Sequence, residues 1–253
     1  MRLATFNVLS GRTAREERVD AGRFAAAVAS LDADVLELQE VDRGQPRSGD
    51  LDLADVAAEA CGAVAHRFAA AMTGLPDGSW TPTIDADPAG APAYGNALLS
   101  RHPVTDWQVV RLPPLPVRVP YRWPGARRPT WVRDEQRVAL LATVESPALG
   151  PLRVAATHLS FLRLSGTRQL WHLLRAGDRL DLLLGDLNMR PAAATRVTGM
   201  RPLVAAATFP AGRPRTQIDH VLAGTSRLVP TGGGAVALPV SDHQALVVDV
   251  VSR

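Results

Sequence analysis

Several polar residues of this 253-residue chain stand at the ends of apolar segments, where a buried strand would ordinarily carry hydrophobic side chains. Burying one polar group without a partner costs roughly 2–7 kcal/mol, so a single case usually reflects a structural hydrogen bond. When many segments each carry such a polar group, the groups can satisfy one another's hydrogen bonds if they all lie together at one site. The residues of this set are Asn7, Glu40, His158, Asp186, Asn188, Asp219, Asp242 and His243.

The side-chain types in this set indicate a site for a hard cation. The set is rich in carboxylates and amides, contains two histidines, and includes no Cys/His cluster. Oxygen ligands of this kind favour Mg²⁺ or Mn²⁺ over zinc. A serine hydrolase fits poorly because the chain lacks a Gly-x-Ser-x-Gly motif, and the phosphate-cradling Gly-x-x-x-x-Gly-Lys motif is also absent from the sequence.

The elements that must position these residues are mostly strands. Short apolar or alternating runs such as LATFNVL, DVLELQEV, VALLATV and ALVVDVV recur along the chain and predict about ten strands. Helical periodicity appears in few places and predicts three or four helices, chiefly at 21–31 after an Asp20 cap, 51–61, and 166–176 after a Ser165 cap. Many strands therefore follow one another directly, which favours an α/β sandwich with mixed sheets over a regular βαβ repeat. Because no repeat or linker divides the chain, we expect residues 1–253 to form a single domain.

The basic residues are more informative by position than by number. All 28 are arginine, and the formal net charge is only +3, so the pI of 9.9 is weak evidence for a nucleic-acid partner. Long turn-rich stretches span 73–93 and 112–134, and loops of this length are usually functional or disordered. The second stretch overlaps an arginine cluster interleaved with Tyr121, Trp123 and Trp131, which either contacts an anionic substrate or forms a solvated loop. The clustered arginines are Arg111, Arg118, Arg122, Arg127, Arg128, Arg133 and Arg137.

Other features predict a soluble, cytoplasmic protein without an obligate protein partner. No run of 18 or more apolar residues predicts a membrane span, and Met1 leads into a strand-like segment without a cleavable signal. Cys61 is the only cysteine, so we expect a buried structural thiol. His220 would point to the opposite face of its strand from Asp219. The remaining histidines lack a partner signature and are expected in surface or packing positions: His66, His102 and His172.

Seven segments, taken in order, resemble the endonuclease/exonuclease/phosphatase superfamily, the DNase I-like group of metal-dependent phosphoesterases. They are TFNVLSG, LQEVD, GNALLSRHPV, THLS, GDLNMRP, QIDHVLAG and SDHQALVVDV, and they run from Asn7 to His243. GDxN followed by IDH and SDH, with QE and TH upstream, is a strong combined signal. The resemblance implies a single four-layer αββα sandwich, in which two mixed β-sheets pack face to face between helices and the active site lies at one edge.

The resemblance also implies roles for individual residues. Glu40 matches the principal Mg²⁺ ligand, with Asn7 and Asp242 near the metal. Asp186 matches an acid that orients or activates water, and Asn188 matches an amide that holds the phosphate. The catalytic histidine and its carboxylate partner are matched by His243 and Asp219, and a second, phosphate-contacting histidine by His158. Further phosphate donors are expected at Asn96 and Arg137.

These roles suit phosphate-ester hydrolysis, in which a cation neutralises developing charge and an Asp–His pair handles a proton. The leading hypothesis is a Mg²⁺-dependent phosphodiesterase, with Mn²⁺ as the alternative ion and DNA or RNA slightly favoured as the phosphate-ester substrate. An abasic-site endonuclease fits poorly because the chain has FNVLSGR, QEVD and TQIDHV in place of that group's motifs, and the inositol 5-phosphatase signature is absent from the sequence. Two alternatives stay open: an enzyme for a small metabolite or lipid headgroup, and a non-catalytic binding protein of the same fold.

Overall fold

The computed structural model describes residues 1–13, 16, 18–76, 78–84, 90–123 and 125–253. Within these ranges the chain forms four α-helices, two short 3-10 helices and fifteen strands. The α-helices are α1 (Ala21–Ser30), α2 (Leu53–Cys61), α3 (Arg163–Ala176) and α4 (Pro191–Thr198). The strands are β1 (Arg2–Asn7), β2 (Val35–Arg43), β3 (Ala65–Thr73), β4 (Thr81–Pro82), β5 (Ala93–Ser100), β6 (Val104–Leu112), β7 (Val119–Tyr121), β8 (Thr130–Val132), β9 (Arg137–Ser146), β10 (Gly150–His158), β11 (Leu182–Asp186), β12 (Arg201–Pro202), β13 (Asp219–Ala223), β14 (Leu228–Val236) and β15 (Ala245–Ser252).

The strands form two large mixed sheets and one small hairpin. The first sheet has the order β14-β15-β1-β2-β5-β3-β4, and the second has the order β12-β13-β11-β10-β9-β6. Each contains one parallel pair, β1 with β2 and β10 with β11, while their other pairs are antiparallel. In the described part of the chain, strands β7 and β8 pair only with each other. The expected mixed sheets are therefore confirmed.

Three apolar layers hold these elements together. The facing sides of the two sheets enclose a layer that includes Leu3, Leu140 and Leu184. Helices α1 and α2 bury their apolar faces on the outside of the first sheet, and α3 and α4 do so on the second. The order is helix, sheet, sheet, helix, which is the predicted four-layer αββα sandwich. We propose that it is one domain, because β1 near the amino terminus lies between β2 and the carboxyl-terminal β15.

Two predicted helix starts have different outcomes. Helix α1 begins directly after Asp20, whose carboxylate accepts a hydrogen bond from the backbone nitrogen of Arg23, as expected for an N-cap. Helix α3 begins at Arg163, so the predicted start after a Ser165 cap is wrong. The hydroxyl of Ser165 lies inside the helix and donates to Asp134 instead. A serine in this pattern can lie before a helix as its cap or within the helix. Here the Asp134 carboxylate, distant in sequence, accepts the Ser165 hydrogen bond, so Ser165 does not act as a cap.

The described parts of both turn-rich stretches contain short strands. Residues 112–134 contain the β7–β8 hairpin, and Thr81–Pro82 forms β4. The part of the 73–93 stretch at 77 and 85–89 lies outside the described residues. Cys61 is buried at the end of α2, as predicted. Among the helices of the described ranges, no helix has the length and apolar character needed to cross a membrane.

Gly185 sets the backbone at the end of β11. Its φ of 149° is one that residues with a side chain rarely adopt, and a Cβ there would overlap the carbonyl oxygen of Thr157 on β10. The close approach lets β11 pair in register with β10, so that Asp186 lies opposite His158. Glycine is therefore required for the alignment of these two strand ends.

We expect Gly185→Ala to lower the free energy of unfolding by about 3 kcal/mol or more, because strained backbone and a backbone clash coincide. Gly234→Ala on β14 is the matched control, since a Cβ there has no heavy atom within 4 Å. The control should change stability by about 1 kcal/mol or less. Urea unfolding of both variants is the measurement, and equal midpoints would contradict the proposed role of Gly185.

Candidate active site

The candidate site lies where several strands from the two sheets end together. In the second sheet, His158 ends β10 and pairs in register with Asp186, the last residue of β11. Asp186 also pairs in register with Asp219, the first residue of β13. From the first sheet, Asn7 ends β1 and reaches across the gap to Asp186. Residues far apart in sequence thus become neighbours at one edge of the sandwich.

Asn7 joins two carboxylates from different sheets. Its amide nitrogen lies 3.1 Å from Glu40 Oε1 and 3.2 Å from Asp186 Oδ2, so one NH₂ group donates to both acids. Glu40 stands in a β-bulge of β2 with a φ of 57°, a departure that directs its side chain out of the regular strand pattern. Ser241 also contacts Asn7, donating from its hydroxyl to the backbone oxygen at 2.5 Å. This amide therefore fixes the spacing of the acid pair.

Asp219 and His243 form a buried hydrogen-bonded pair. His243 Nδ1 lies 3.0 Å from Asp219 Oδ2, and the Thr208 hydroxyl donates to the same oxygen. The other imidazole nitrogen, Nε2, lies 3.9 Å from Asp186 Oδ2. The Phe209 ring packs against the imidazole with the two ring centroids 4.8 Å apart. The imidazole is thereby held with one nitrogen on Asp219 and the other directed at Asp186.

The second histidine stands among hydrogen-bond donors. Arg137 Nη1 lies 3.2 Å from His158 Nδ1, and the amide nitrogen of Asn188 lies 3.2 Å from His158 Nε2. That same amide nitrogen donates to the Leu159 oxygen at 3.0 Å, while the Asn188 backbone nitrogen donates to Asp186 Oδ1 at 2.9 Å. Arg137, Asn188 and His158 therefore form a donor-rich wall beside the acids.

Burial and neighbouring charges shift the ionisation of the central groups. Burial raises the pKa of Asp186 to about 7, and the negative charge of Asp219 adds to that effect. Burial also raises the pKa of Glu40, against the hydrogen bond from Asn7. For His243, burial alone would lower the pKa, but the hydrogen bond and charge of Asp219 dominate and raise it to about 9. A cation near these acids would relieve the repulsion between them.

Burial also lowers the pKa of His158 well below its usual value, and the positive charges of Arg137 and His243 lower it further. His158 is therefore neutral at physiological pH. A neutral imidazole has one acceptor nitrogen, so only one of the donors on its two sides can be satisfied by it at a time. The other donor remains available for an anionic oxygen.

The donor chemistry of the site fits a divalent cation. Glu40 and Asp186 present carboxylate oxygens 3.1 and 3.2 Å from one shared amide, and the oxygen-rich set suits a hard ion. Among the described residues, Asp186, Asp219 and His243 also have donor atoms within 4.8 Å of one another. Asp219 and His243 are already bound to each other, however, so the Glu40 side is the better cation position. Glu40, Asp242 and Asn188 are half-buried and open toward solvent, while the rest of the set is buried.

Three further residues considered in the sequence analysis have hydrogen-bond partners outside the acid and histidine cluster described above. The amide of Asn96 donates to the Val138 oxygen at 2.9 Å and thus ties β5 of the first sheet to β9 of the second. His220 binds the Met189 oxygen at 2.8 Å, away from the His243 pair, in agreement with its expected orientation. Exposed His66 pairs with Asp55 on α2 at 2.8 Å.

Sequence reasoning did not identify Thr208 or Ser241, which hold Asp219 and Asn7 in place. Thr208 lies in the ordinary segment AAATFP, eleven residues before its partner, and the sequence carries no signal for that contact.

A buried polar layer lies behind the site, between the two sheets. Thr5 donates to Glu37 Oε2 at 2.6 Å, and Gln39 donates to the Thr5 hydroxyl at 2.8 Å. Glu37 is fully buried, and its Oε1 has no hydrogen-bond partner among the described residues. Burial raises the pKa of Glu37 well above its usual value, against the Thr5 hydrogen bond, and the charges of Asp219 and Asp186 raise it further. Glu37 therefore keeps its proton in the folded protein above the pH at which an exposed glutamate ionises.

We expect Glu37→Gln to stabilise the protein by an amount that grows with pH. Because the folded-state pKa of Glu37 exceeds the unfolded value of about 4.3, the folded chain holds a proton that the unfolded chain releases between these two values. Wild-type stability then falls by up to about 1.4 kcal/mol per pH unit in that window, whereas glutamine does not titrate. Urea unfolding in EDTA from about pH 5 to pH 8 measures the gap. Exposed Glu59→Gln is the control, and a gap that stays constant with pH would refute the expectation.

Several solved structures have a fold similar to that of this chain. An endonuclease/exonuclease/phosphatase from Beutenbergia cavernae DSM 12333 is 26% identical with a TM-score of 0.74, and the match covers 100% of this chain and 71% of that chain. One from Bacteroides vulgatus is 18% identical with a TM-score of 0.66, covering 100% and 98% of the two chains. ANGEL2, a 2′,3′-cyclic phosphatase, is 14% identical with a TM-score of 0.58, covering 98% and 94%.

No curated protein matches the chain significantly. The family model described as Endonuclease/Exonuclease/phosphatase family, however, matches residues 4–243, nearly the whole chain. This match spans every residue of the candidate site, and members of the family are phosphoesterase hydrolases. The chain therefore belongs to the endonuclease/exonuclease/phosphatase family.

Proposed function

We propose that this protein is a Mg²⁺-dependent phosphodiester hydrolase, with Mn²⁺ as the alternative ion and nucleic acid as the favoured substrate. The observation that carries the proposal is the shared contact of Asn7 with Glu40 and Asp186, directly beside the Asp219–His243 pair. These contacts combine a cation position, an oriented carboxylate and a proton-handling pair within one edge of the fold. Retention of all these groups argues against a purely non-catalytic binding role.

In this proposal Asp186 orients the attacking water and accepts its proton. Its two oxygens accept hydrogen bonds from Asn7 and from the Asn188 backbone, which fixes the carboxylate while leaving lone pairs for water. His243, bound through Nδ1 to Asp219, is stabilised as a cation and directs Nε2 toward the reacting group. It then stabilises negative charge on the phosphate in the transition state. The raised pKa values of Asp186 and His243 agree with this division of roles.

Glu40 and Asp242 would hold the cation with carboxylate oxygens, and Asn7 with its amide oxygen, which accepts a hydrogen bond from the Leu9 backbone nitrogen at 3.2 Å. When bound, a divalent cation supplies charge neutralisation on phosphate oxygens and on the attacking oxygen. The backbone oxygen of Asp242 accepts a hydrogen bond from Ala211 at 2.6 Å, which holds the backbone beside His243. The Asp242 carboxylate lies close enough to Glu40 for its negative charge to raise the pKa of Glu40.

The phosphate would be held by His158, Asn188 and Arg137. Since neutral His158 cannot accept from both donors, a phosphate oxygen satisfies whichever donor is released. Asn96 lies deeper, bound to a backbone carbonyl between the sheets, and we keep its contact with substrate as a prediction. The second candidate is a phosphatase or phosphodiesterase that acts on a small metabolite or a lipid headgroup, and one structural neighbour is a 2′,3′-cyclic phosphatase.

Hydrolysis of bis-p-nitrophenyl phosphate tests the proposed reaction. We expect turnover with Mg²⁺ or Mn²⁺, loss of turnover in EDTA, and recovery on adding either ion back. p-Nitrophenyl phosphate, a monoester, is the companion substrate. Faster hydrolysis of the monoester would favour the phosphatase, and metal-independent activity on either substrate would refute the proposed cation site.

A further inference from the structure

A groove leads away from the candidate site between α3 and α4. It encloses about 690 Å³, and Asn188 forms part of its wall. Arg163 from the first turn of α3, Arg190 directly before α4, and Arg196 on α4 also line it. The groove therefore shares Asn188 with the candidate site, and three arginines line it.

The charge of this groove is unbalanced. Its lining residues in the described part of the chain include no carboxylate. All three arginines are exposed, and no ion pair with another described residue involves them. Three positive charges without nearby negative groups repel one another. They therefore attract an anion that is long enough to contact all three. A ligand with phosphates beyond the scissile one would supply the missing charge.

An aromatic cluster includes Phe161, which stands close in the chain to the groove residue Arg163. Tyr121 on the β7–β8 hairpin contacts Phe161 and Trp123, each with ring centroids 4.9 Å apart. Phe161 is two residues before Arg163, and 46% of the Trp123 surface is exposed. The hairpin is anchored at its base, where Leu115 donates its backbone N–H to Asp134 at 2.8 Å. Anchored, partly exposed rings beside arginines suit the stacking of nucleobases, which a lipid headgroup or an inositol phosphate does not have.

We propose that the α3–α4 groove binds the backbone of a single nucleic-acid strand on one side of the scissile phosphate. Arg163, Arg190 and Arg196 contact successive phosphates, and the Tyr121, Trp123 and Phe161 rings stack against bases. This inference rests on the proposed phosphodiesterase function and adds the direction in which the substrate strand leaves the site.

The test uses the triple variant Arg163→Glu, Arg190→Glu and Arg196→Glu with a short fluorescein-labelled oligodeoxythymidine. Fluorescence anisotropy in EDTA measures binding without turnover. We expect affinity to fall at least tenfold and the slope of log affinity against log salt to shrink by about 2, as for three lost phosphate contacts on a single strand. In the presence of Mg²⁺, the ratio of kcat/KM for the oligonucleotide to that for bis-p-nitrophenyl phosphate should also fall at least tenfold.

The control variant carries the same charge change at three other exposed arginines, Arg67, Arg179 and Arg253. Equal affinity loss in the control and the groove variant would overturn the groove assignment, as would an oligonucleotide that does not bind the wild type. Absence of bis-p-nitrophenyl phosphate hydrolysis by the wild type would instead refute the proposed function, while the EDTA binding measurement would still decide the groove. Heparin, a polyanion without bases, is the comparison ligand. The groove assignment is also rejected if the triple variant loses affinity for heparin but binds the oligonucleotide as tightly as the wild type does.

Discussion

Replacing Asp186 by Asn is expected to lower kcat for bis-p-nitrophenyl phosphate by about 10²- to 10⁴-fold. The substitution keeps the size of the side chain and an oxygen for the Asn188 backbone hydrogen bond. It removes the charge that would orient and deprotonate water, and it places an amide opposite the Asn7 amide. Steady-state kinetics with saturating Mg²⁺ measure the effect, and KM should change much less than kcat.

The same variant should remain folded. Burial and the charge of Asp219 raise the pKa of Asp186, so the ionised carboxylate opposes folding at neutral pH in the absence of metal. In EDTA near neutral pH, Asp186→Asn should therefore have a Tm equal to or above that of the wild type. Exposed Asp178→Asn is the matched control for activity and stability. Wild-type kcat in Asp186→Asn would remove this residue from the catalytic set.

His243→Ala is expected to cost about 10²- to 10⁴-fold in kcat as well, because it deletes the cation that faces Asp186. Asp219→Asn should lower kcat by a comparable factor, since the Nδ1 contact at 3.0 Å holds the imidazole and stabilises its charged form. Exposed His66→Ala should retain wild-type activity.

The double variant His243→Ala/Asp219→Asn tests whether Asp219 acts through His243 or contributes to kcat independently of it. If Asp219 acts through His243, the double variant should be no slower than His243→Ala alone. If the loss of kcat in the double variant instead equals the product of the two single losses, Asp219 acts on the reaction by another route. Full activity in His243→Ala would refute the role assigned to the pair.

Strand and helix types were predictable where a pattern repeats over a whole segment. The alternation in β1 and β2 and the Asp20 cap of α1 are local signals, and the structure agrees with them. The short strands β7 and β8 were not predicted, because three residues are too few for a period to emerge. The start of α3 was missed because Ser165 bonds to Asp134, thirty-one residues away.

The sequence by itself determined the chemical repertoire of this protein and the order of its motifs. Asp186, Asn188, Asp219 and His243 could be identified as polar groups at strand ends, and their resemblance to a family of phosphoesterases implied roles for them. Only the tertiary structure decided which atoms meet. Asp186 contacts Asn7 across 179 positions of sequence, because the two strand ends face each other from different sheets. Such contacts depend on sheet register and on backbone features such as the Glu40 bulge, which are set by packing throughout the core and not by local residue preference.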